Sequence, residues 1–342
     1  MKLKLVAVIL WVLACSQAYA APVKVDNKAL PKFSMGLEEP VAEFIRWLPA
    51  NTETLIVTQT PVTVDVKTKY PEPTPASFAQ RLTSIGSLFP DYAWWDGVKF
   101  NRVVAGSCNF RRPKALGVFP FDGCSILFVD KSSPVSSSQM MLSARANCSG
   151  KTAEQGVELF CFERKLEDDQ LSFYLCSPQK DVLLWATDRA YLAEVLQRFK
   201  NGKPQAVFLK PVLWKAIPRT ATLFVLRDTT KAQGESAEMA NTIGDPANGS
   251  LYIDRGPIGY AASYQLARKE LVVSYYSNDA KALQLRRYWE THSECIQLCP
   301  CILSIPSANE LRVKTIVDQG SREAKFCLPL TTLGGAGHNA YI

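Results

Sequence analysis

Residues Asp181–Asp228 read DVLLWATDRAYLAEVLQRFKNGKPQAVFLKPVLWKAIPRTATLFVLRD, and this stretch decides the fold class. Val182–Ala186 is a short apolar run of strand length. Thr187 or Asp188 then offers an N-cap oxygen to a helix whose apolar positions Tyr191, Leu192, Val195, Leu196 and Phe199 follow helical spacing, and Asn201-Gly202 ends it. Beyond a linker, Pro211–Ile217 reads as a helical turn, Pro218 stops it, and Thr222–Leu226 is a β-branched and aromatic strand. Strand, capped helix and strand in that order specify an α+β fragment and no chemistry.

Working outward, both halves of this stretch have echoes. Leu48-Pro49-Ala50-Asn51-Thr52-Glu53-Thr54-Leu55-Ile56-Val57 lines up with Ile217-Pro218-Arg219-Thr220-Ala221-Thr222-Leu223-Phe224-Val225 if one residue is dropped, the offset running from 218 − 49 = 169 to 222 − 54 = 168. Lys180–Leu184 with its Thr187-Asp188 cap likewise resembles Lys269–Val273 with Ser277-Asn278-Asp279 and a helix over Ala280–Glu290. Repeated strand, cap and helix units point to two similar α+β halves, residues 37–202 and 203–342, with mostly antiparallel sheets and helices packed on one face. Capped strand–helix joints are common in unrelated folds, so coincidence stays open beside duplication.

The other elements follow the same grammar. Helices are expected at Val41–Leu48, Ser77–Ile85, Ser136–Ala146 and Ala232–Ile243. Strands are expected at Thr54–Thr58, Phe100–Ala105, Cys124–Asp130, Glu158–Arg164, Leu171–Ser177, Ile258–Leu266, Leu271–Ser277 and Glu310–Val317. Pro61–Pro75 can be neither a helix nor a central strand.

Residues 1–20 have Lys2 and Lys4 as a basic start, the apolar run Leu5–Ala14 and an Ala18-Tyr19-Ala20 cleavage site, the pattern of a secretory signal peptide. Residues 21–36 show no periodicity and read as an exposed leader. The alternative is a lipobox, Val12-Leu13-Ala14-Cys15, with a lipid anchor at Cys15. No later run reaches the ~18 apolar residues of a spanning helix. An exported, periplasmic or extracellular protein is the expectation. The chain of 342 residues carries a formal +7, +5 after loss of Lys2 and Lys4 (7 − 2 = 5), without a basic block, so nucleic acid is not an expected partner.

Ten cysteines matter more in such a compartment. Once Cys15 has left, Cys108, Cys124, Cys148, Cys161, Cys176, Cys295, Cys299, Cys301 and Cys327 are the disulfide candidates. Cys161 and Cys176 lie on strands flanking the turn at Glu167–Gln170. Cys295, Cys299 and Cys301 fall in a stretch that Pro300 and Pro306 keep from being helical, so a covalent staple is expected to order it.

Catalytic signatures are missing. There is no nucleophile elbow, phosphate-binding loop or His-Glu-x-x-His, and the chain has two histidines, His292 and His338. His292, Cys295, Cys299 and Cys301 could in principle hold zinc, but disulfides are the expected use; no cofactor or metal is expected. Tyr92, Trp94 and Trp95 form an aromatic run that serves either as a binding platform or as a cap on the core.

The residues LLWATDRAYLAEVLQRF and AIPRTATLFVLRD resemble uncharacterised exported bacterial proteins in which a strand, a Thr-Asp/Asn cap and a Leu-rich helix precede a Pro-x-x-Ala-x-Phe/Leu strand. The resemblance spans Val182–Tyr288; the extra cysteines depart from it. It implies an α+β repeat fold in a bacterial envelope and brings no activity. The functional expectation is a non-enzymatic binding or structural protein of the cell envelope, its partner an envelope protein or polymer. A secreted hydrolase with a site assembled only by the fold is the alternative.

Overall fold

The computed structural model describes residues 45–64, 95–109, 121–166, 169–201, 210–218, 220–234, 242–245, 250–252, 257–265, 268, 270–277, 283, 286 and 301–316. The leader 1–20, residues 21–36, the expected helix Ser77–Ile85, Tyr92, Trp94, His292, Cys295, Cys299, Cys327 and His338 lie outside them.

The described chain is a mostly antiparallel, sheet-dominated α+β structure. The first strands are β1 (Thr54–Thr58), β2 (Val62–Thr63), β3 (Lys99–Cys108) and β4 (Asp122–Val129), followed by helix α1 (Ser137–Asn147). Then come β5 (Gly150–Glu154), β6 (Val157–Leu166), β7 (Asp169–Gln179), β8 (Val182–Ala186), α2 (Arg189–Asn201) and α3 (Pro211–Lys215). The chain continues with β9 (Leu223–Asp228), β10 (Thr242–Asp245), β11 (Ser250–Tyr252), β12 (Pro257–Gln265), β13 (Glu270–Ser277), β14 (Cys301–Ser307) and β15 (Glu310–Ile316). One 13-stranded sheet runs β14-β15-β13-β12-β9-β1-β3-β4-β8-β7-β6-β5, with β2 beside β3, and β10 pairs β11 separately.

The two parts of the sequence are joined inside this sheet by β1 and β9, which pair antiparallel with Thr54 opposite Arg227, Ile56 opposite Val225 and Thr58 opposite Leu223. Matching hydrogen bonds flank the pair. Thr52 N donates to Pro49 O (3.1 Å) and Ala221 N to Pro218 O (3.0 Å); Glu53 N donates to Ser107 O (2.9 Å) and Thr222 N to Tyr264 O (2.8 Å). Asp228 N reaches Glu53 O and Gln59 N reaches Thr222 O, both at 2.8 Å. The matching donors Thr52 and Ala221, Glu53 and Thr222, and Gln59 and Asp228 each lie 169 positions apart (221 − 52, 222 − 53 and 228 − 59).

The expected caps form. Ser136 and Gln139 make a reciprocal capping box at α1, and Asp188 Oδ1 accepts from Tyr191 N at 2.7 Å at the start of α2. Placing all helices on one face fails. α2 and α3 cover the face bearing Leu55, Val57, Val104, Ile126, Leu184, Phe224 and Leu226. α1 lies on the other face, where Arg145 stands 5.9 Å from the Phe160 ring and Trp185 meets Trp95 and Phe173, each with centroids 5.7 Å away. The reason is visible in β1, β8 and β9, which are buried at every residue: a strand apolar on both faces needs cover on both.

Three further differences have local causes. Cys301–Ser307 is strand β14, laddered to β15, so backbone hydrogen bonds organise the segment; Ile302, Leu303 and Ile305 suit a strand and Pro306 falls in the irregular register between Ser304 and Ser307, where an edge tolerates it. Thr242–Asp245 is a strand and not the end of a helix, because β-branched Thr242-Ile243 pairs with Tyr252 and Leu251 of β11. Gly150–Glu154 becomes β5 because Gln155 (φ 52°) and Gly156 (φ 80°) fold it back onto β6.

Gly106 of β3 shows how tightly α2 is seated. A Cβ there would come within 2.6 Å of Tyr191 Oη and 2.8 Å of Leu48 Cδ1. Gly106→Ala is therefore expected to cost about 1–3 kcal/mol, read as a lower urea midpoint with unchanged denaturant slope.

Candidate functional site: a charged cluster at the central strand seam

Among the described residues, the charged side chains that are buried are Glu53, Arg227 and Asp228, at 1%, 2% and 2% exposure. All three meet where β1 begins and β9 ends. Thr54 stands opposite Arg227 in the ladder, which places Glu53 beside Asp228. Buried charges at one point of an otherwise apolar sheet are the strongest candidate for a site.

Their contacts can be followed atom by atom. Glu53 Oε1 accepts from Asn109 N at 3.0 Å, and Glu53 Oε2 stands 3.9 Å from Arg227 Nη2. Asn109, in the left-handed region at φ 52°, turns the chain out of β3 and donates its Nδ2 to Asp122 Oδ2 at 2.8 Å. Asp228 Oδ1 accepts from Thr230 N at 3.1 Å and from Thr230 Oγ1 at 2.6 Å, capping the short 3-10 turn Thr229–Lys231. Lys231 reaches back and donates its Nζ to Ala50 O at 2.5 Å. Gly259 of β12 pairs with Asp228, and a Cβ there would sit 2.0 Å from Arg227 O, so only glycine lets β12 close over the cluster.

Electrostatics at the rim follow burial. Desolvation pushes the Lys231 ammonium down to about 8, against the pull of Asp228 and then Glu53. Lys210 is lowered for the same reason, with Asp228 opposing.

Below α2 lies a second polar contact. Tyr191 Oη and Thr52 Oγ1 are 2.7 Å apart, Thr52 Oγ1 donates to Pro49 O at 2.7 Å, and burial raises the Tyr191 phenol. Cys108, Cys124 and Cys176 belong to the same packed face.

The sequence-derived candidates are distributed differently. Trp95 is 1% exposed and packs on Trp185 and Phe100: it is core, not an exposed platform. Cys108, Cys124, Cys148, Cys161 and Cys176 are free thiols. Cys161 stands opposite Tyr174, so it and Cys176 do not face each other directly across the ladder. Cys301 lies in β14, away from the seam. Among the described residues no group of three metal-ligating side chains occurs, and no helix among them is long and apolar enough to cross a membrane. The seam cluster escaped the sequence reading, although Arg227-Asp228 at the end of LFVLRD and Glu53 just before TLIVT break two apolar runs.

No family model matches the chain, and no curated protein matches it. Among solved structures it is similar to TP0453: crystal form I at 10% identity and TM-score 0.46, covering 84% of this chain and 96% of that one, and crystal form III at 10% identity and TM-score 0.44, covering 83% and 96%. Likeness at that level says nothing about the seam.

Two outcomes follow from the cluster. Arg227→Met leaves Glu53 as a buried charge facing an apolar side chain and is expected to cost about 3–5 kcal/mol, part of which Glu53→Gln restores in the double variant; chemical denaturation of the four proteins measures it. Lys231 has a folded pKa below its unfolded one, so above about pH 8 the folded state has lost a proton the unfolded chain still holds, and stability rises with pH. Urea midpoints should climb between about pH 8 and 9.5 in the wild type relative to Lys231→Met.

Proposed function

We propose that this chain is an exported, non-enzymatic binding or structural protein of the cell envelope, built from two similar halves. The observation that carries the non-catalytic reading is how the seam cluster is bonded. Glu53 accepts from the backbone of Asn109, Asp228 caps its own following turn, and Lys231 ties to the backbone of Ala50. These bonds fasten strand ends across the joint between halves, work that accounts for buried charge without substrate.

The halves are supported by more than the central pair. Each arm runs outward in the same order, β1-β3-β4-β8-β7 and β9-β12-β13-β15-β14. The outer hairpins carry the same irregularity: the β7–β8 register shifts between Cys176 and Gln179, the β14–β15 register between Ser304 and Ser307, a constant displacement (304 − 176 = 128 and 307 − 179 = 128). Pro178 and Pro306 occupy equivalent places within those shifts. β6 and β5 extend the first arm only.

Export rests on the Lys2/Lys4 start, the apolar run and Ala18-Tyr19-Ala20. Expressed from Met1 in a bacterial host and fractionated, the protein is expected outside the cytoplasm with Ala21 as its first residue. A lipidated Cys15 would replace simple release with tethering; an intact Met1 in the cytoplasm would overturn export. Retention of a stable partner from envelope extract by the wild type supports binding, whereas hydrolysis of envelope polymer that disappears in Glu53→Gln would reinstate the hydrolase.

A further inference from the structure

The thiols of Cys108, Cys124 and Cys176 are buried, whereas those of Cys148 and Cys161 are partly exposed. The exposed two are also neighbours in space. Cys148 follows the last residue of α1, where its N–H donates to Ala144 O at 2.9 Å, and the next residue, Ser149, donates its N–H to Cys161 O of β6 at 2.8 Å. Ser149 Oγ accepts from Glu163 N at 3.1 Å, so the junction between α1 and β5 is fastened to β6 at both Cys161 and Glu163. A planar trans peptide sets the Cα of one residue on the same side as the N–H of the next. With the Ser149 N–H aimed at Cys161 O, the Cys148 Cα is carried to about 3.6 Å from that oxygen and the two cysteine Cα atoms to about 6 Å from each other or less. A disulfide spans Cα atoms ~4.4–6.8 Å apart.

There is room for the sulfurs to meet. Cys161 stands opposite Gly150 in the ladder, and a Cβ added to Gly150 would meet nothing within 4 Å. The Cys148 thiol rests on Arg145 O at 3.6 Å, a weak contact that one side-chain rotation releases. Burial raises the Cys161 thiol, Arg189 opposes the rise and Cys148 adds to it, which agrees with two sulfurs lying close together.

We propose that Cys148 and Cys161 form one disulfide site, closed by exchange with an oxidised dithiol outside the cytoplasm. This rests on the export reading above for its oxidant. One cysteine, as thiolate, attacks a sulfur of the oxidant's disulfide, giving a mixed disulfide and releasing one thiolate; the other cysteine, as thiolate, attacks its neighbour's sulfur and expels the second. Two protein thiols become one S–S bond, two electrons pass to the oxidant, and its two thiolates take up the two protons. The bond closes a loop that contains β5 and the Gln155-Gly156 turn. Among the described residues β5 pairs with β6 alone, so the disulfide staples the open end of an edge strand whose other end the turn already holds.

Peptide mapping tests this. The chain expressed from Met1 is recovered from outside the cytoplasm without reductant, alkylated, taken from the monomer band of a non-reducing gel and cut with trypsin, which cleaves after Arg145, Lys151 and Arg164 and so separates residues 146–151 from 152–164. The two peptides are expected to run joined and to part on reduction. Both peptides alkylated and separate, or either joined to a different cysteine, overturn the proposal and leave export intact. Should the chain stay in the cytoplasm, the purified protein is incubated with mixed oxidised and reduced glutathione: the same link upholds the site although export has failed, and its absence overturns the site as well. Amide exchange in β5 is expected to slow at least ~10-fold on oxidation of the wild type and to be unchanged on oxidation of Cys148→Ser or Cys161→Ser. Equal exchange in oxidised and reduced wild type overturns the staple.

Discussion

The antiparallel pairing of β1 with β9 is the constraint on which the rest depends. With Ile56 opposite Val225, Glu53 and Asp228 are brought to one end, and Gln59 and Thr222 to the other. The alternation then places Leu55, Val57, Phe224 and Leu226 under α2 and α3. A slip of one residue would turn each of these to the opposite face and would also part Glu53 from Arg227. Apolar burial and the charged cluster therefore specify the same register independently, and each penalises the errors the other would tolerate.

This gives a physical reason for ionic groups in a sheet that apolar residues could fill. A buried ion pair rarely adds much net stability, since desolvation offsets most of the attraction. Its cost when mispaired is large. At a joint between two strands of similar sequence, TLIVT and LFVLRD, hydrophobic pattern alone discriminates poorly among registers. A glutamate that must meet both the Asn109 amide and the Arg227 guanidinium discriminates well.

What the sequence revealed and what it hid divide along local and non-local physics. The Asp181–Asp228 stretch was legible because its period, its Asp188 cap and its Pro and Gly stops are all local, and the hairpins β6–β7 and β12–β13 were legible for the same reason. β5, GKTAE, has little strand preference of its own and exists because the Gln155-Gly156 turn lays it on β6. β14 was obscured by Cys301 and Pro306, which read as irregular until the shifted register between Ser304 and Ser307 accommodates the proline. Trp95 read either as a cap on the core, the favoured use, or as a binding platform, since Trp-Trp-Asp-Gly carries no periodicity; burial against Trp185 is a fact of the sheet. The seam cluster joins Glu53 to Arg227 across 227 − 53 = 174 positions, and no spacing rule spans such a distance.

The thiols follow the same logic of placement. Burial pushes the Cys124 thiol well up, with Cys176 beside it adding to the rise, and burial alone raises Cys176. A thiol that cannot ionise is a poor nucleophile toward oxidant or disulfide, so beneath α2 these cysteines behave as small apolar residues even in an oxidising compartment. Cys148 and Cys161 sit differently, partly exposed where α1 hands over to β5. Ser149 N donates to Cys161 O at 2.8 Å, and Cys148 contributes to raising the Cys161 thiol after burial and against the pull of Arg189. The sequence made Cys108, Cys124, Cys148, Cys161 and Cys176 disulfide candidates alike. The sheet separates those its core protects from those at its rim, and for an exported chain that separation decides which thiols chemistry can reach.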